Sequence, residues 1–460
     1  MTNVVTNVVE SDLCSGCGVC VAVCPHAALG MITALNGDLV ARAVGDCCES
    51  CNLCLQVCPF VDGVHDPRQH NINLFSRKVQ SSAAFHENIG WHRRCFAGFA
   101  RVADHRSRAA SGGLVTWCLD SLLNNGLVDK TSVVGLSPEA DPPLFQFKTA
   151  SSAQEIRCAA GSVYHPVEIS GLLSEMMADP SARWALVGIP CLCAAVRTAA
   201  MKIPKIRGSL RYLLGLACGM LQNTMYTEFL LAKSGTVPAE VVEITYRKKR
   251  PHAPANDYGF CALDRGGRAG PLLPYLGLPY FLAKNAYFRY NACNYCKDAF
   301  AEAADACFMD AWLPEYMTDP RGTSLVVVRS QSVEELLLGG GTSGDLHLDT
   351  ISAERVVLSQ KGHVDRKQQL ICIRLPGSHS TYQGKAWTYW KDRLDWWLQR
   401  RTQYRSKRVW SRYGRKYGRL AFWVAMADLL LAQTIRPFLQ RLIRLPGRVA
   451  RKVVTLLGMR

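Results

Sequence analysis

The chain has 460 residues, of which 48% are apolar, 20% charged and 9% aromatic. This composition excludes wholesale disorder, a collagen-like repeat and a multispan membrane protein, and the length suits about three domains. Two features stand out: there are 20 cysteines, and 54 Lys and Arg exceed 37 Asp and Glu. The N-terminal residues lack the basic start and apolar segment of a secretory signal, so we expect a cytoplasmic protein whose clustered cysteines bind metal.

Two cysteine runs of identical spacing lie near the N-terminus. Each reads C-x-x-C-x-x-C-x-x-x-C-P, the pattern of bacterial-type ferredoxins, in which three cysteines hold one 4Fe-4S cube and the fourth crosses to the other. Structural zinc, the alternative, explains neither the three-plus-one spacing nor the prolines. The predicted ligands are Cys14, Cys17, Cys20 and Cys58 for one cube, and Cys48, Cys51, Cys54 and Cys24 for the other.

Helical and strand patterns then alternate. Ser111-Gly112-Gly113 precedes a helical run at 114–127, a strand follows at 132–135, and a second strand–turn–helix unit covers 184–200. We therefore predict an α+β or α/β multidomain fold. The Ser-Gly-Gly turn suits a phosphate, because small residues let backbone N–H groups approach an anion, but it is equally typical of a helix N-cap with a tight turn.

Four further cysteines come from separate segments. Cys191 ends a Gly-x-Pro turn, Cys218 follows an apolar strand, and Cys293 and Cys296 form another C-x-x-C. They could supply four thiolates to one site, or the first two could be ordinary core residues, since free cysteine is commonly buried.

The order of motifs resembles the coenzyme F-420 hydrogenase/dehydrogenase beta-subunit family of flavoprotein reductases over about residues 95–337. The motifs are Arg108-x-x-Ser111-Gly112-Gly113, Gly161-Ser162-x-Tyr164, Val187-Gly188-x-Pro190-Cys191, Cys218-Gly219, Cys293-x-x-Cys296-x-Asp298, Ala304-Asp305 with Asp310-Ala311-Trp312, and Gly322-x-Ser324 before 326–329.

The resemblance implies FAD, which converts between two-electron chemistry and single electrons. It makes Arg108, Ser111, Gly112, Gly113, Gly161, Ser162 and Tyr164 candidates for holding FAD. It also implies a third 4Fe-4S cluster on Cys191, Cys218, Cys293 and Cys296, with Cys193 in reserve.

Two departures from the family pattern concern substrate choice. Met309 replaces a glycine that tolerates positive φ, and Pro251-His252-Ala253-Pro254 replaces Trp-Pro-Gly, which puts the deazaflavin pocket in doubt. The preceding run, Arg247 to Arg250, is interpreted as a solvated loop rather than a site for an acidic substrate tail. No residue is assigned as general acid or base, since His165, Asp298, Asp305 and Asp310 could each be structural.

The positive charge is concentrated at the C-terminus. Residues 385–460 hold 19 Lys or Arg and three Asp, and tryptophans interleave with arginines from Trp387 to Trp410. The apolar stretch 420–435 is short for a bilayer span, so we predict no transmembrane helix but an amphipathic helix at an anionic membrane surface. A partner-docking surface or simple packing on the body is the alternative, and nucleic acid is not expected.

Together these patterns predict an iron–sulfur flavoprotein oxidoreductase, cytoplasmic or peripheral at the inner membrane face. It would pass electrons between 4Fe-4S clusters and a two-electron substrate, with a ferredoxin-like or deazaflavin donor or acceptor. The alternative is a non-catalytic electron-transfer subunit working with a partner redox subunit. The predicted domains are a ferredoxin domain (1–65), a linker (66–92), family N- and C-terminal domains (93–170 and 171–340), a peripheral segment (341–384) and a basic helical tail (385–460).

Overall fold

The computed structural model describes residues 3–46, 51–68, 83–137, 144–375 and 386–442. At the N-terminus, strands β1 (Leu29–Thr33) and β2 (Leu39–Ala43) pair antiparallel. Each cysteine run contains one short helix, α1 (Val19–Ala22) or α2 (Leu53–Gln56). The predicted ligand Cys48 lies outside the described residues.

An eight-stranded mixed sheet forms the centre of the fold; its strands are β5 (Arg94–Ala100), β6 (Lys130–Leu136), β7 (Phe145–Ala150), β8 (Trp184–Gly188), β9 (Leu210–Leu216), β13 (Ala306–Asp310), β14 (Ser324–Val328) and β15 (Leu346–Thr350). Their order across the sheet is β15-β5-β14-β13-β9-β8-β6-β7. Pairing is parallel for β6 with β8, β8 with β9 and β9 with β13, and antiparallel elsewhere. This is the α+β fold that the sequence predicts.

Both faces of the sheet are covered, as the apolar runs in its central strands require. On β14, Leu325 and Val327 belong to one core while Val326 and Val328 belong to another. The first core also contains the ferredoxin residues Val19 and Val23, so that domain packs directly on the sheet.

The helices after the ferredoxin region are bounded as follows. They are α3 (His105–Arg108), α4 (Leu114–Asn124), α5 (Ala153–Cys158), α6 (Ser170–Ala178), α7 (Pro190–Lys202), α8 (Pro204–Ser209), α9 (Thr224–Ser234), α10 (Leu278–Lys284), α11 (Pro314–Met317), α12 (Gln331–Ser343), α13 (Ala353–Ser359), α14 (Lys361–Val364), α15 (Ala386–Val409), α16 (Arg415–Ala425) and α17 (Ala427–Leu442).

Smaller sheets flank this centre. A hairpin of β3 (Ala84–His86) and β4 (Gly90–His92) precedes β5, and a three-stranded sheet consists of β10 (Val241–Lys248), β11 (Gly259–Asp264) and β12 (Leu273–Pro274). The three-stranded sheet and α9 form a third core together with residues of α15–α17.

The basic tail is helical, as predicted, and it packs on the body more closely than predicted. Trp410, expected at headgroup depth, is 2% exposed, because its ring packs on Phe229 at 5.0 Å and its indole N–H donates to Glu228. By length and composition alone, the helical segment Thr388–Phe438 could cross a membrane, although we predicted no such span. Non-helical backbone at Gly418, with φ 80°, interrupts this segment.

Candidate iron–sulfur and flavin site

The site lies along one edge of the central sheet. Strands β8, β9 and β13 run parallel, so the segments after them meet at the same edge, the one formed by the carboxyl ends of the strands, where open α/β sheets bind ligands. Cys191 follows β8 in the first turn of α7, and Cys218 follows β9. Asp310, the last residue of β13, lies at this edge as well.

Four thiols from three segments converge here. Burial raises the pKa of Cys191, and the neighbouring thiols of Cys296, Cys218 and Cys293 raise it further. Cys293 and Cys296 are presented by a short 3₁₀ turn, Asn291–Tyr295, and Leu221 N–H donates to Cys293 Sγ at 3.1 Å. Among the described residues, no three His, Cys, Asp or Glu side chains are placed as ligands of a single metal ion. The four thiols are nevertheless electrostatic neighbours of one another, and we call this group the four-thiol site.

Cys193, the reserve ligand, does not belong to this set. Its thiol donates to the Gly188 carbonyl at 3.2 Å, and its electrostatic neighbours are Asp298, Cys307, Arg197 and Asp305 rather than Cys218, Cys293 or Cys296. Because Cys193 is two residues from Cys191 on a helix, its side chain points about 200° away from that thiol.

A buried lysine contacts the four-thiol site. Lys367 Nζ lies 3.2 Å from Cys296 Sγ and donates to the Asp298 carbonyl at 2.6 Å. His65 Nδ1 lies 3.3 Å from the same sulfur. Burial opposes ionisation, yet Lys367 and His65 lower the pKa of Cys296 to about 7. The geometry therefore favours a thiolate, the form that binds iron.

Further cations surround these thiols. Arg289 is 1% exposed, and its pKa is lowered by burial and by the nearby Arg374 and Arg366. The His363 ring covers Gly219, where an added Cβ would meet it at 2.5 Å, and burial lowers the pKa of His363 to about 3, so this ring is neutral. Four thiolates bound to a cube carry net negative charge, and the three arginines offset that charge in a site otherwise shielded from water.

The ferredoxin cysteines form a neighbouring group. Burial raises the pKa of Cys20, and the thiols of Cys17, Cys14, Cys58 and Cys54 raise it further. The first three belong with Cys20 to the predicted ligand set of one cube, and Cys54 belongs to the predicted set of the other. Cys17 also contributes to the raised pKa of Cys191, so this group adjoins the four-thiol site. Gly16 N–H donates to Cys14 Sγ at 3.4 Å, as a loop wrapped around a cube would. Cys24 and Cys54 pack half-buried against the same core, and Cys51 is also half-buried.

Near the four-thiol site lies a cluster of aromatic and basic side chains around Arg247, Lys249, Tyr258 and Tyr275, which we call the cleft. Arg247 donates to both carboxylate oxygens of Asp310, at 2.8 and 2.7 Å, and stacks over Tyr258 at 4.3 Å. The prediction of a solvated loop is therefore wrong for Arg247, which is 8% exposed at the end of β10. Its partner Asp310 is 63 residues further along the chain, so the local charge run gives no sign of this pairing.

Arg247 keeps one donor unused. Its Nε is buried and has no hydrogen-bond partner among the described residues. A buried unpaired N–H is costly, and such a group commonly marks a place where a ligand or water binds.

The second cation of the cleft is the half-buried Lys249. Its Nζ donates to the carbonyls of Ser111, at 2.9 Å, and Arg106. Burial, together with the charges of Arg106 and Arg247, lowers the pKa of Lys249 to about 8. The structure thus brings part of the Ser-Gly-Gly turn to the cleft.

The turn itself has a clear packing role. Gly112 N–H donates to Ser324 Oγ at 3.0 Å, and Ser111 Oγ donates to the Thr323 carbonyl at 2.7 Å. A Cβ on Gly112 would meet the Gly98 carbonyl oxygen at 2.5 Å. Gly113, at φ 82°, is the N-cap of α4. These glycines are explained by close packing at a helix start, whether or not a phosphate also binds.

The remaining candidate flavin residues fall into two places. Tyr164 packs on Tyr246 at 5.5 Å and lies near Arg247, in the cleft. Arg108 is exposed and pairs with Asp104, which also pairs with Arg157 just before the loop that carries Gly161 and Ser162. That loop and Arg108 are therefore neighbours.

The candidate acid and base groups have structural partners. His165 Nδ1 bonds Thr227 Oγ1 at 3.0 Å, and burial lowers the pKa of His165 to about 3, so its ring stays neutral. Asp298 accepts the N–H groups of residues 300 and 302. Asp305 accepts Leu213 N–H at 2.8 Å and pairs with Arg197.

A series of neighbouring side chains links the four-thiol site to the cleft. Arg366 is near Cys218 and Cys293 on one side and near Tyr275 on the other. Tyr275 stacks on Tyr258 at 4.5 Å, and Tyr258 lies under Arg247. The four-thiol site therefore lies near both the ferredoxin cysteines and the cleft.

Several of these residues were not identified from the sequence. His363, Arg366 and Lys367 lie in a segment without a recognisable motif, and His65 lies at the end of the ferredoxin region. The one available signal was the basic composition of 361–367. Of the two departures, Met309 has no positive φ and is buried in a core, so it introduces no backbone strain.

Comparison with known families identifies the chain. Residues 95–174 match the model described as coenzyme F420 hydrogenase/dehydrogenase, beta subunit N-term, and residues 181–354 match its C terminus. Together these matches cover more than half of the chain. The chain belongs to the coenzyme F420 hydrogenase/dehydrogenase beta-subunit family. Residues 7–30 match a 4Fe-4S binding domain, which places iron–sulfur binding beside this core.

Among solved structures, this family member is similar to a chain of the F420-reducing [NiFe] hydrogenase complex from Methanosarcina barkeri. The identity is 19%, covering 62% of this chain and 93% of that chain, with a TM-score of 0.48. A search of curated proteins finds no match.

Proposed function

We propose that this protein is an iron–sulfur flavoprotein oxidoreductase that passes electrons between 4Fe-4S clusters and a two-electron organic substrate through FAD. The observation that carries the proposal is that the four-thiol site neighbours both the ferredoxin cysteine Cys17 and, through Arg366 and Tyr275, the cleft. A site in this position would be the middle of an electron path from one to the other.

Three 4Fe-4S clusters are part of the proposal. Two belong to the ferredoxin runs, with the ligand sets given above. The third is held by Cys191, Cys218, Cys293 and Cys296. An anionic cube suits this set of four thiols. The Leu221 N–H that is donated to the Cys293 sulfur and the surrounding cations also suit such a cube.

The cleft is proposed to hold FAD. When bound, FAD exchanges electron pairs with organic molecules and single electrons with clusters. Lys249 and the unpaired Arg247 Nε would face an anionic or electron-rich part of the cofactor. The stacked rings of Tyr258 and Tyr275 would form an apolar wall. Arg108, Gly161 and Ser162 would then meet a more distant, solvent-facing part.

The substrate is proposed to be coenzyme F420 or another small two-electron acceptor. The family description names F420, and the cleft offers cations to an anionic molecule of this kind. Asp310 fixes Arg247 in place by a bidentate pair, so the cationic group is presented without rearrangement.

The test is anaerobic purification followed by reduction of the bound flavin. FAD should copurify, and reduced F420 or a reduced ferredoxin should bleach the flavin absorbance in the isolated chain. Lys249→Gln should weaken FAD retention, whereas Lys248→Gln, on its exposed neighbour, should not. A chain that carries iron and no flavin, and whose clusters accept electrons only in a copurified complex, would instead be an electron-transfer subunit.

A further inference from the structure

The C-terminal helices α16 and α17 are apolar on two sides. One side packs into the body, where Phe422 contacts Phe229 at 5.2 Å and Met426 is fully buried. The opposite side faces solvent with large apolar residues, where a surface helix ordinarily carries polar ones.

We call these exposed apolar residues of the two helices the tail stripe. They recur at intervals of three, four or seven residues, the spacing of one helix face. Leu420 is 78% exposed, Val424 69%, Leu431 62%, Ile435 41% and Phe438 61%. A contiguous apolar surface of this kind marks an interaction site.

A basic groove runs beside the tail stripe. It has a volume of about 920 Å³ and is lined by residues of α15 and its continuation on one side and of α16 and α17 on the other. Asp428, the single acidic residue of its lining, pairs with Arg405. The arginines of the groove are Arg393, Arg400, Arg401, Arg405, Arg408 and Arg412.

Groove and stripe share helix α17. Asp428 and Leu429 line the groove, while Leu431 is exposed on the adjacent face. Positions three residues apart on a helix differ by about 60°, so Asp428 and Leu431 are adjacent and the two surfaces meet along this side of the helix. Aromatic residues complete the groove, and Trp397 stacks under the Arg401 guanidinium at 4.2 Å.

We infer that this surface binds the face of an anionic phospholipid bilayer. The tail stripe would enter the interface to the depth of its side chains, and the arginines would meet lipid phosphates, an arrangement typical of interfacial helices. The charge favours lipid over a protein partner, because the groove's arginines greatly outnumber its one acidic residue. Residues 443–460 add five more Lys or Arg and no acidic residue to the sequence.

The packing favours binding at the surface over spanning. Phe422, Met426 and Leu429 are buried in the third core, so α16 and α17 would have to leave the body to cross a bilayer. The break at Gly418 also separates the apolar stretch from the long helix α15.

The test is flotation of the full-length protein with vesicles. Phosphatidylcholine vesicles should leave the protein unbound, and vesicles of equal parts phosphatidylcholine and phosphatidylglycerol should carry it upward at low salt. The variant with Arg400, Arg408 and Arg412 changed to Gln should bind on the order of a hundredfold more weakly, at about fivefold per cation. The variant with Leu420, Val424 and Leu431 changed to Ser should also lose binding.

Matched controls carry equal changes elsewhere on the surface. Leu35, Val237 and Leu358 changed to Ser alters three exposed apolar residues outside the tail, and Arg207, Arg211 and Arg265 changed to Gln removes three exposed charges. Both should float like the unmodified protein, with unchanged iron content as the check on folding. The inference is overturned by a protein that ignores both vesicles, by equal binding to neutral vesicles, or by a tail-stripe variant that still floats.

Discussion

The ammonium group of Lys367 lies 3.2 Å from the sulfur of Cys296 and 2.6 Å from the carbonyl oxygen of Asp298, two residues further along the chain. It is 2% exposed, so its charge acts on the four-thiol site through protein rather than through water. Groups that hydrogen-bond a cluster sulfur tune the reduction potential of the cluster.

Lys367→Met should lower the potential of the third cluster. A buried unit charge a few ångströms away favours the more negative, reduced form, and its loss should lower the potential by on the order of 100 mV. Redox titration followed by electron paramagnetic resonance measures this shift. Lys361→Met, which removes an exposed lysine paired with Asp365, is the control and should leave the potential unchanged. Equal potentials in both variants would show that Lys367 has no electrostatic role.

Affinity of the cleft for FAD should fall as the pH rises through about 8. Lys249 is protonated below its lowered pKa of about 8 and attracts an anion there, and it becomes neutral above that pH. Fluorescence titration of the flavin-depleted protein across this range measures the change. Lys249→Gln should remove the pH dependence, and Lys248→Gln should retain it. A wild-type affinity that stays flat from pH 7 to about 9 would exclude Lys249 from the binding site.

Asp310→Asn should destabilise the protein strongly. It leaves the buried guanidinium of Arg247 without its counter-charge, and loss of one partner of a buried pair costs about 3 kcal/mol or more. The pair Arg183–Asp129 is about 40% exposed on each side, so Asp129→Asn should cost less than about 1 kcal/mol. Urea unfolding of the two variants compares these costs, and similar values would contradict the buried role of Arg247.

A buried ion pair links the tail to the ferredoxin region. Lys407 Nζ lies 2.6 Å from Asp38 Oδ2, and both side chains are buried. Lys407→Met should therefore speed trypsin cleavage within α15 by on the order of a hundredfold, since cleavage follows the population of the opened form. Lys416→Met, on an exposed position, is the control for general effects of charge loss. Unchanged cleavage in Lys407→Met would mean that other contacts hold the tail.

The cysteine motifs were predictable because their spacing is local. A C-x-x-C run places its sulfurs within one turn, so no knowledge of the fold is needed to relate Cys14 to Cys17. Cys191 and Cys218 needed the family resemblance, because their proximity depends on the parallel pairing of β8 with β9.

Charged residues were harder to interpret. Arg247 belongs to a run that is typical of a solvated loop, and only its pairing with Asp310 places it in the interior. Lys367 and His65 are distant in sequence and meet at Cys296 through tertiary packing. The tail's helices were predictable from composition, but the burial of Trp410 depends on Phe229 and Glu228 of the body.

The most direct measurement is the iron and acid-labile sulfide content per chain of the anaerobically purified protein and of Cys218→Ala. Three 4Fe-4S clusters predict about twelve iron atoms in the unmodified protein and about eight in the variant. Cys193→Ala, with its thiol turned toward the Gly188 carbonyl, is the matched control and should keep about twelve. About eight iron atoms in all three proteins would contradict a cluster at the four-thiol site.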